Sequence, residues 1–402
     1  MFNLDKFINT YVTQRNQSMF LVDIENNREQ LSKKIKDKSV LVIGGAGSIG
    51  SSFIKAILPF SPASLVVVDI NENGLAELTR DLRSTKGLYV PEDYIPYPMN
   101  FASGVFEKMF RNRGGFDIVA NFSAHKHVRS EKDIYSIEAL LQNNVLQAKK
   151  LLDLLSELPP DEYFCVSTDK AANPVNIMGA SKRIMEDVIF AYSDKFPVKT
   201  ARFANVAFSN GSLPAGFIAR LQKLQPLSAP SDVKRYFVSP EESGQICMLA
   251  CILGENREIF FPRLEEAQMM TFDKIATAFL EAHGYQVLLC NSDEEAINKA
   301  VELKHGSNLY PVHYSGSNTS GEKAFEEFYT DKETVDLTRM KSLGVVTNKG
   351  IPDVSRIEIL FKKLNVAFEK SDTTKDEVVS IMLEYLPNFE HIETGKSLDS
   401  KM

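Results

Sequence analysis

Short apolar runs and amphipathic stretches alternate through the first half of the chain. The runs SVLVI (39–43), SLVVVDI (64–70), DIVANFS (117–123), YFCVST (163–168) and KTARFANV (199–206) have the length and β-branched content of buried strands. Between them, SIGSSFIKAIL and IEALLQNNVLQAKKLLDLLSEL carry apolar residues at helical spacing. Apolar strands separated by amphipathic helices predict an α/β fold, a doubly wound parallel sheet covered on both faces. Residues 1–38 read as a polar helical arm. Phe7, Ile8, Tyr11 and Val12 share one side of it, suited to docking on the arm's own domain or on a second subunit, with a membrane surface as the alternative. Beyond about residue 207 the alternation fades. SGQICMLACIL and FDKIATAFLEAHG look helical and the remainder irregular. This predicts a first domain over 39–206, a smaller mixed domain over 207–390 and a disordered polar tail over 391–402.

Composition narrows the class. With 402 residues, 44% hydrophobic and 25% charged, the chain buries a sizeable core. A net charge of −7 argues against nucleic acid as a partner, so an anionic ligand needs a local cluster of Lys and Arg. The four cysteines, Cys165, Cys247, Cys251 and Cys290, form neither a disulfide framework nor a zinc pattern. They read as buried free thiols, and a reducing cytoplasm fits them. No apolar run approaches the roughly 18 residues that span a bilayer. The opening MFNLDKFINTYV carries Asp5 and Lys6 and has no signal-peptide core.

The first strand runs into VLVIGGAGSIGSSFI, with Gly44, Gly47 and Gly50 between strand and helix. Glycines there allow a tight turn, close approach of backbone to a pyrophosphate and helix-on-strand packing, while the helix N-terminus offers free N–H groups. Ser48 and Ile49 stand in the same turn. An acid, Asp69, ends the second run 19 residues beyond Gly50, close to the spacing of a ribose-binding carboxylate. The turn thus predicts a Rossmann-type dinucleotide site. Asp69 repels a 2′-phosphate, and Ile70, Asn71 and Glu72 add no cation, so NAD is favoured; Arg80 and Arg83 keep NADP open. Asn100 and Phe101, after a third strand, are candidates for the adenine.

The segment STDKAANPVNIMGASK (167–182) follows the fourth apolar run counted from the glycine turn, and ligands of open parallel sheets bind beyond such strand ends. Thr168, Asp169 and Lys170 put a hydroxyl, an acid and an amine on one loop. Met178 and Lys182 are one helical turn apart on one face. Short-chain dehydrogenases place Tyr and Lys at that spacing; here a thioether that moves no proton stands in for the phenol. Lys182 suits the nicotinamide ribose. His125 and His127 lack a nearby cysteine or acid as third ligand, so they read as pocket lining and no metal is expected.

The run STDKAANPVNIMGASKRIMED closely resembles the nucleotide-sugar 4,6-dehydratases of bacterial polysaccharide biosynthesis, within the extended short-chain dehydrogenases. NFSAHKHV (121–128) is similar to that family's HAAAxKHV, ARFANVAFSNGS (201–212) to RFGNVLGSxGS, KRYFVSPEESGQI (234–246) to xRYFMTxxEAxxL, and SGEKAFEEF (320–328) to PGEKLYEEL. The resemblance covers about residues 38–330, in the family's order. It implies a UDP-N-acetylhexosamine substrate and a tightly bound NAD that removes a hydride from C4 and returns it to C6. Asp169 would then protonate the departing C6 hydroxyl, Lys170 would take the C5 proton, and Thr168 would bond the C4 oxygen. Met178 would pack beside the nicotinamide. Ser123, Ala124, His125 and Asn144 would join the cofactor site. Lys126, His127, Arg202 and Arg235 would meet the substrate, the three cations its phosphates, with Asn205 and Glu322 carried over from the matching motifs. Helices near 136–156 and 178–194 would pair two subunits, as their equivalents do in this superfamily.

The match is uneven. Ala204 replaces the glycine of RFGNV, Ser320 the proline of PGEK, Phe122 and Ser123 stand for small alanines, and 285–319 matches poorly. Two rivals stand beside the dehydratase: a UDP-sugar 4-epimerase, which relies on the tyrosine that Met178 replaces, and a non-catalytic NAD- or sugar-nucleotide-binding module.

Overall fold

The computed structural model describes residues 2–127, 131–316, 326–347 and 349–392. Its centre is a nine-stranded sheet. The strands are β1 (Ser39–Ile43), β2 (Ser64–Asp69), β3 (Asp93–Pro98), β4 (Ile118–Asn121), β5 (Glu162–Val166), β6 (Val198–Ala201), β7 (Glu258–Pro262), β8 (Thr334–Asp336) and β9 (Leu343–Thr347). They lie in the order β8-β9-β7-β6-β5-β4-β1-β2-β3. All pairs from β7 to β3 are parallel, and β9 and β8 close one edge antiparallel. The five runs read from sequence are all strands of this sheet. Their burial on both faces follows from helices on both sides, so Val40, Leu41, Val42 and Ile43 are all inaccessible to solvent. The strand order reverses between β1 and β4, which opens a crevice at their carboxyl ends.

Three helices frame that crevice: α1 (Ser48–Ile57) after β1, α2 (Gln147–Leu155) before β5, and α3 (Ile177–Phe190) after it. A fourth, α4 (Pro240–Leu253), packs on α1 so closely that a Cβ at Gly244 would lie 2.2 Å from the Ser52 carbonyl oxygen. The expected boundary at 206 does not divide the sheet, because β7, β8 and β9 come from beyond it and α4 covers one of its faces. Nor is 285–319 irregular over its described part. Gln286–Leu289 and Leu309–Ser315 pair in parallel, Leu227–Pro230 extends them, and a helix spans Asp293–Lys299. This smaller sheet has its own core around Phe208, Phe217 and Phe279, and the N-terminal arm docks there through Phe7, Ile8 and Val12. Tyr11, grouped with them from sequence, is exposed.

A helical hairpin, α5 (Val354–Phe368) and α6 (Lys375–Tyr385), follows the sheet. Ile357, Leu360, Leu364, Val378 and Met382 join the same core as the apolar residues of α2 and α3. Lys149 of α2 pairs with Glu358, and Tyr385 Oη donates to Asp187 of α3. The chain itself therefore supplies cover for the helices expected to meet a second subunit. Ile392 N–H donates to the Val175 carbonyl, which ties down the start of the expected tail; 393–402 lie outside the described residues. All four cysteines are buried and free. Among the described residues no helix is long and apolar enough to cross a membrane.

Candidate active site

The glycine turn has the backbone that its sequence requires. Gly44 sits at φ +74°, and a Cβ there would lie 2.7 Å from the Ser123 nitrogen; at Gly50 it would lie 2.4 Å from the Gly44 carbonyl oxygen. Neither position admits a side chain. Gly47 precedes α1 in extended conformation, and no side chain caps the helix, so its first N–H groups stay available to an anion. Asp69 ends β2 beside this turn. Its Oδ2 accepts from the Ala46 N–H at 3.0 Å and its Oδ1 from the Asn71 N–H at 2.9 Å, which fixes the carboxylate against the crevice. Ser48 Oγ accepts from the Asn210 N–H at 2.8 Å, tying the 208–212 segment to the helix N-terminus. Ile49 is partly buried and Ile70 exposed. Asn100 is exposed just past β3, whereas Phe101 packs into the main core. A dinucleotide fits this cradle: the two excluded Cβ positions, the uncapped helix and the fixed carboxylate meet at one strand end.

The loop after β4 is held from behind. Asn144, buried in a π-helical turn over Gln142–Leu146, accepts from the His125 N–H and donates to the His125 carbonyl and to Ser181 Oγ, all at 2.9–3.1 Å. Asn144 thus acts as a scaffold between this loop and α3. Ser123 Oγ bonds Asn143, and Ala124 is half-buried. Lys126 Nζ donates to the Asn210 carbonyl at 2.9 Å, and the His127 ring stands beside Gly211.

Past β5 the chain makes a short 3₁₀ turn over Asp169–Ala171. Asp169 is buried, with its Oδ1 accepting from Thr168 Oγ1 at 2.6 Å. Lys170 Nζ lies 3.2 Å from both carboxylate oxygens. Asn176 caps α3 by accepting from the Gly179 N–H, and Glu131 accepts from the Met178 N–H. Met178 and Lys182 follow on the buried face. Lys182 Nζ donates to the Val166 carbonyl at 3.1 Å, and burial lowers its pKa. Thr168, Asp169 and Lys170 thus stand past the carboxyl end of β5, and Met178 and Lys182 in the first turns of α3 that follows.

Arg202 departs from expectation. It is fully buried, and its guanidinium bonds both oxygens of Glu186, both oxygens of Glu333 and the Phe328 carbonyl. Those contacts occupy all five N–H donors and leave none for a phosphate. Arg235 is buried, with Nε 4.0 Å from Glu326. Asn205 Nδ2 also donates to Glu326, at 2.5 Å. Glu322 lies outside the described residues, whereas Glu326 from the same motif was missed from sequence. Only the doubled acid of SGEKAFEEF hinted at it.

A polysaccharide biosynthesis protein family matches residues 40–348. Among relatives, MJ1061 of Methanocaldococcus jannaschii, named an uncharacterized membrane protein, is 28% identical over 86% of this chain and 97% of its own. The capsular polysaccharide biosynthesis protein CapD of Staphylococcus aureus is 25% identical over 77% of this chain, which spans half of CapD's length. An inverting UDP-N-acetylglucosamine 4,6-dehydratase of Campylobacter jejuni is 23% identical over 76% of this chain and 86% of its own. Among solved structures, Pen from Bacillus thuringiensis superposes with a TM-score of 0.60 at 18% identity, covering 79% of this chain and 90% of Pen. The dTDP-glucose 4,6-dehydratase DesIV from Streptomyces venezuelae, solved with NAD and TYD bound, gives 0.52 at 20% identity, covering 69% and 84%. At these identities the superpositions speak for the fold alone, that of the extended short-chain dehydrogenases.

Proposed function

Since this chain belongs to the polysaccharide biosynthesis protein family, related to nucleotide-sugar dehydratases and epimerases, we propose that it is a 4,6-dehydratase of UDP-N-acetylglucosamine or a close UDP-hexosamine, serving surface glycan synthesis. The observation that carries this reading is the contact between Asp169 and Lys170 at a strand end where Met178 stands in place of a phenol. NAD, held by the glycine turn, the α1 N-terminus, Asp69 and Lys182, supplies a reversible hydride acceptor when bound.

The chain's own residues supply the proton movements. Asp169 and Lys170 face each other as carboxylate and ammonium at 3.2 Å. A proton passed from Lys170 to Asp169 leaves a neutral amine and a neutral acid. The amine takes the C5 proton of a 4-keto sugar, the acid protonates the C6 hydroxyl, and water leaves. The amine has then gained the C5 proton and the acid has lost its own to the departing water, so the ion pair is restored. Thr168 fixes Asp169 through one hydroxyl bond and retains acceptor capacity for the C4 hydroxyl. Lys182, with its lowered pKa, is the group that in this reading polarises a ribose hydroxyl. Of the three cations read as phosphate partners, Lys126 and Arg235 remain.

Incubation with UDP-N-acetylglucosamine, followed by proton NMR, tests the reading. A new C6 methyl signal is expected. A galacto-configured product would instead mark an epimerase, and binding without turnover a non-catalytic module. Turnover in heavy water then reports whether C5 is inverted.

A further inference from the structure

Gly179 stands in the first turn of α3, where helix propensity alone would favour alanine. A Cβ at this position would lie 2.6 Å from the Lys170 carbonyl oxygen and 3.2 Å from the Lys170 Cβ. Both the main chain of Lys170 and the root of its side chain therefore rest on the bare face of this glycine. A helix start does not demand a glycine for steric reasons in general. Gly216, in the first turn of the helix Leu213–Gln222, has nothing within 4 Å of the same position. The two partners at Gly179 are unequally held. The Gly179 N–H donates to Asn176 Oδ1 at 2.7 Å and the Met178 N–H to Glu131 at 2.9 Å, so two side chains pin the start of α3. Lys170 belongs to a three-residue 3₁₀ turn, and its own N–H reaches Thr168 Oγ1 only at 3.5 Å. A Cβ would also press on the Asn176 cap at 3.1 Å, a milder crowding than the one against the Lys170 carbonyl. The turn is the softer partner, so crowding at position 179 moves Lys170.

Resting on the dehydratase reading, we propose that Gly179 is a positioning residue for the C5 proton transfer, its missing side chain forming the seat that aims the Lys170 amine. From that seat Lys170 Nζ stands 3.2 Å from each Asp169 oxygen. The shift that would open 2.6 Å to an ordinary contact of about 3.5 Å approaches 1 Å. A misplacement of about 1 Å at a reacting group costs about 10²-fold in rate. A displaced Lys170 keeps its charge and its place beside the crevice, so substrate binding suffers far less than proton transfer.

Gly179→Ala and Gly216→Ala make the same change in two helix starts. With UDP-N-acetylglucosamine as substrate, Gly179→Ala should lower kcat about 10²-fold with KM nearly unchanged, and Gly216→Ala should match the native protein. Lys170 acts only after C4 has been oxidised, so the absorbance of reduced nicotinamide should build up on mixing in Gly179→Ala and not in the native protein. Native kcat in Gly179→Ala, or an equal fall in both variants, would overturn the proposal. A fall without that absorbance would place the damage at another step and overturn it as well. Two further measurements need no sugar. In native protein labelled at glycine and lysine, a nuclear Overhauser contact between the Gly179 α protons and the Lys170 β protons is expected. Its absence would remove the seat, whether or not Gly179→Ala folds. In folded Gly179→Ala the Lys170 ε-carbon resonance, assigned by its loss in Lys170→Ala, should move, and in Gly216→Ala it should stay. An unmoved resonance in Gly179→Ala would also overturn the proposal. If the native protein dehydrates no sugar nucleotide, the function reading falls, and these two measurements still decide the seat.

Discussion

Two ion-pair clusters, around Asp169 after β5 and Arg202 after β6, stand beyond neighbouring strands and differ in their spare hydrogen-bonding capacity. Around Arg202 every donor is spent. Nε and Nη2 reach Glu186 at 2.8 and 2.6 Å, Nη1 and Nη2 reach Glu333 at 2.8 and 3.0 Å, and Nη1 also meets the Phe328 carbonyl at 3.1 Å. Glu186 takes a further bond from Ser167, and Glu333 an ion pair from Lys349. Burial pushes Glu186 upward, yet Arg202 together with Arg183 and Ser167 brings the net shift downward. Around Asp169 the accounting stays open. Lys170 makes one contact shared over two oxygens, its side chain is 28% exposed, and the Thr168 hydroxyl retains acceptor capacity. A saturated cluster braces the sheet edge and α3, whereas an unsaturated one can exchange partners with a substrate.

Removing the brace is expected to have the largest effect. Arg202→Met takes the shared cation from Glu186 and Glu333, leaving Arg183 and Lys349 as their remaining partners, and breaking a buried pair of this kind costs about 3–5 kcal/mol. Urea unfolding should show a sharply lowered midpoint, and the Phe328–Glu333 segment should loosen first. Were Arg202 a phosphate ligand, the variant would keep its stability and show only a raised KM. That result would erase the distinction between the clusters.

Next come the members of the open pair. Asp169→Asn and Lys170→Ala should each lower dehydration by about 10²- to 10⁴-fold, the usual reach of general acid–base catalysis. Asp169→Asn should change stability by less than about 1.5 kcal/mol, because it loses a few modest hydrogen bonds, whereas Lys170→Ala costs more, since the buried Asp169 carboxyl loses its ion-pair partner. Retained NAD, read by absorbance after denaturation, separates lost chemistry from a lost cradle. Full turnover in both variants would remove these residues from the mechanism.

The sequence made the open pair visible and hid the closed one. Thr168, Asp169 and Lys170 follow a recognisable strand, and Lys182 lies at helical spacing from Met178, so their convergence needs only local geometry. The glycine turn and Asp69 were legible for the same reason: each is punctuation on an apolar run. Arg202 also follows an apolar run, and nothing local distinguishes a guanidinium aimed at solvent from one that meets Glu186 and Glu333. Its role depends on a segment more than a hundred residues later. Glu326 escaped notice likewise, since only the return of the chain to the Asn205–Val206 ladder brings it to Asn205 and the Tyr236 N–H. Strands β7 to β9 were missed because short runs such as EIFFP and LGVVT sit among helices and loops with no alternating context.

The smallest effect should come from Met178, the residue that replaces a phenol. It is 3% exposed and belongs to the apolar core that also holds Ile177, Ala180 and Met185. What holds its backbone is the bond from its N–H to Glu131, which any side chain at this position preserves. Met178→Leu conserves volume and apolar character, so it should cost less than about 1.5 kcal/mol. With the proton traffic carried by Asp169 and Lys170, turnover should stay within about threefold of the native protein, under 1 kcal/mol of barrier. A melting curve and the NMR turnover assay on one preparation check both halves. A variant that folds, retains NAD and yet loses turnover would mean that the thioether touches the reacting groups. Position 178 would then belong with the open cluster, and spare hydrogen-bonding capacity would no longer suffice to mark the site.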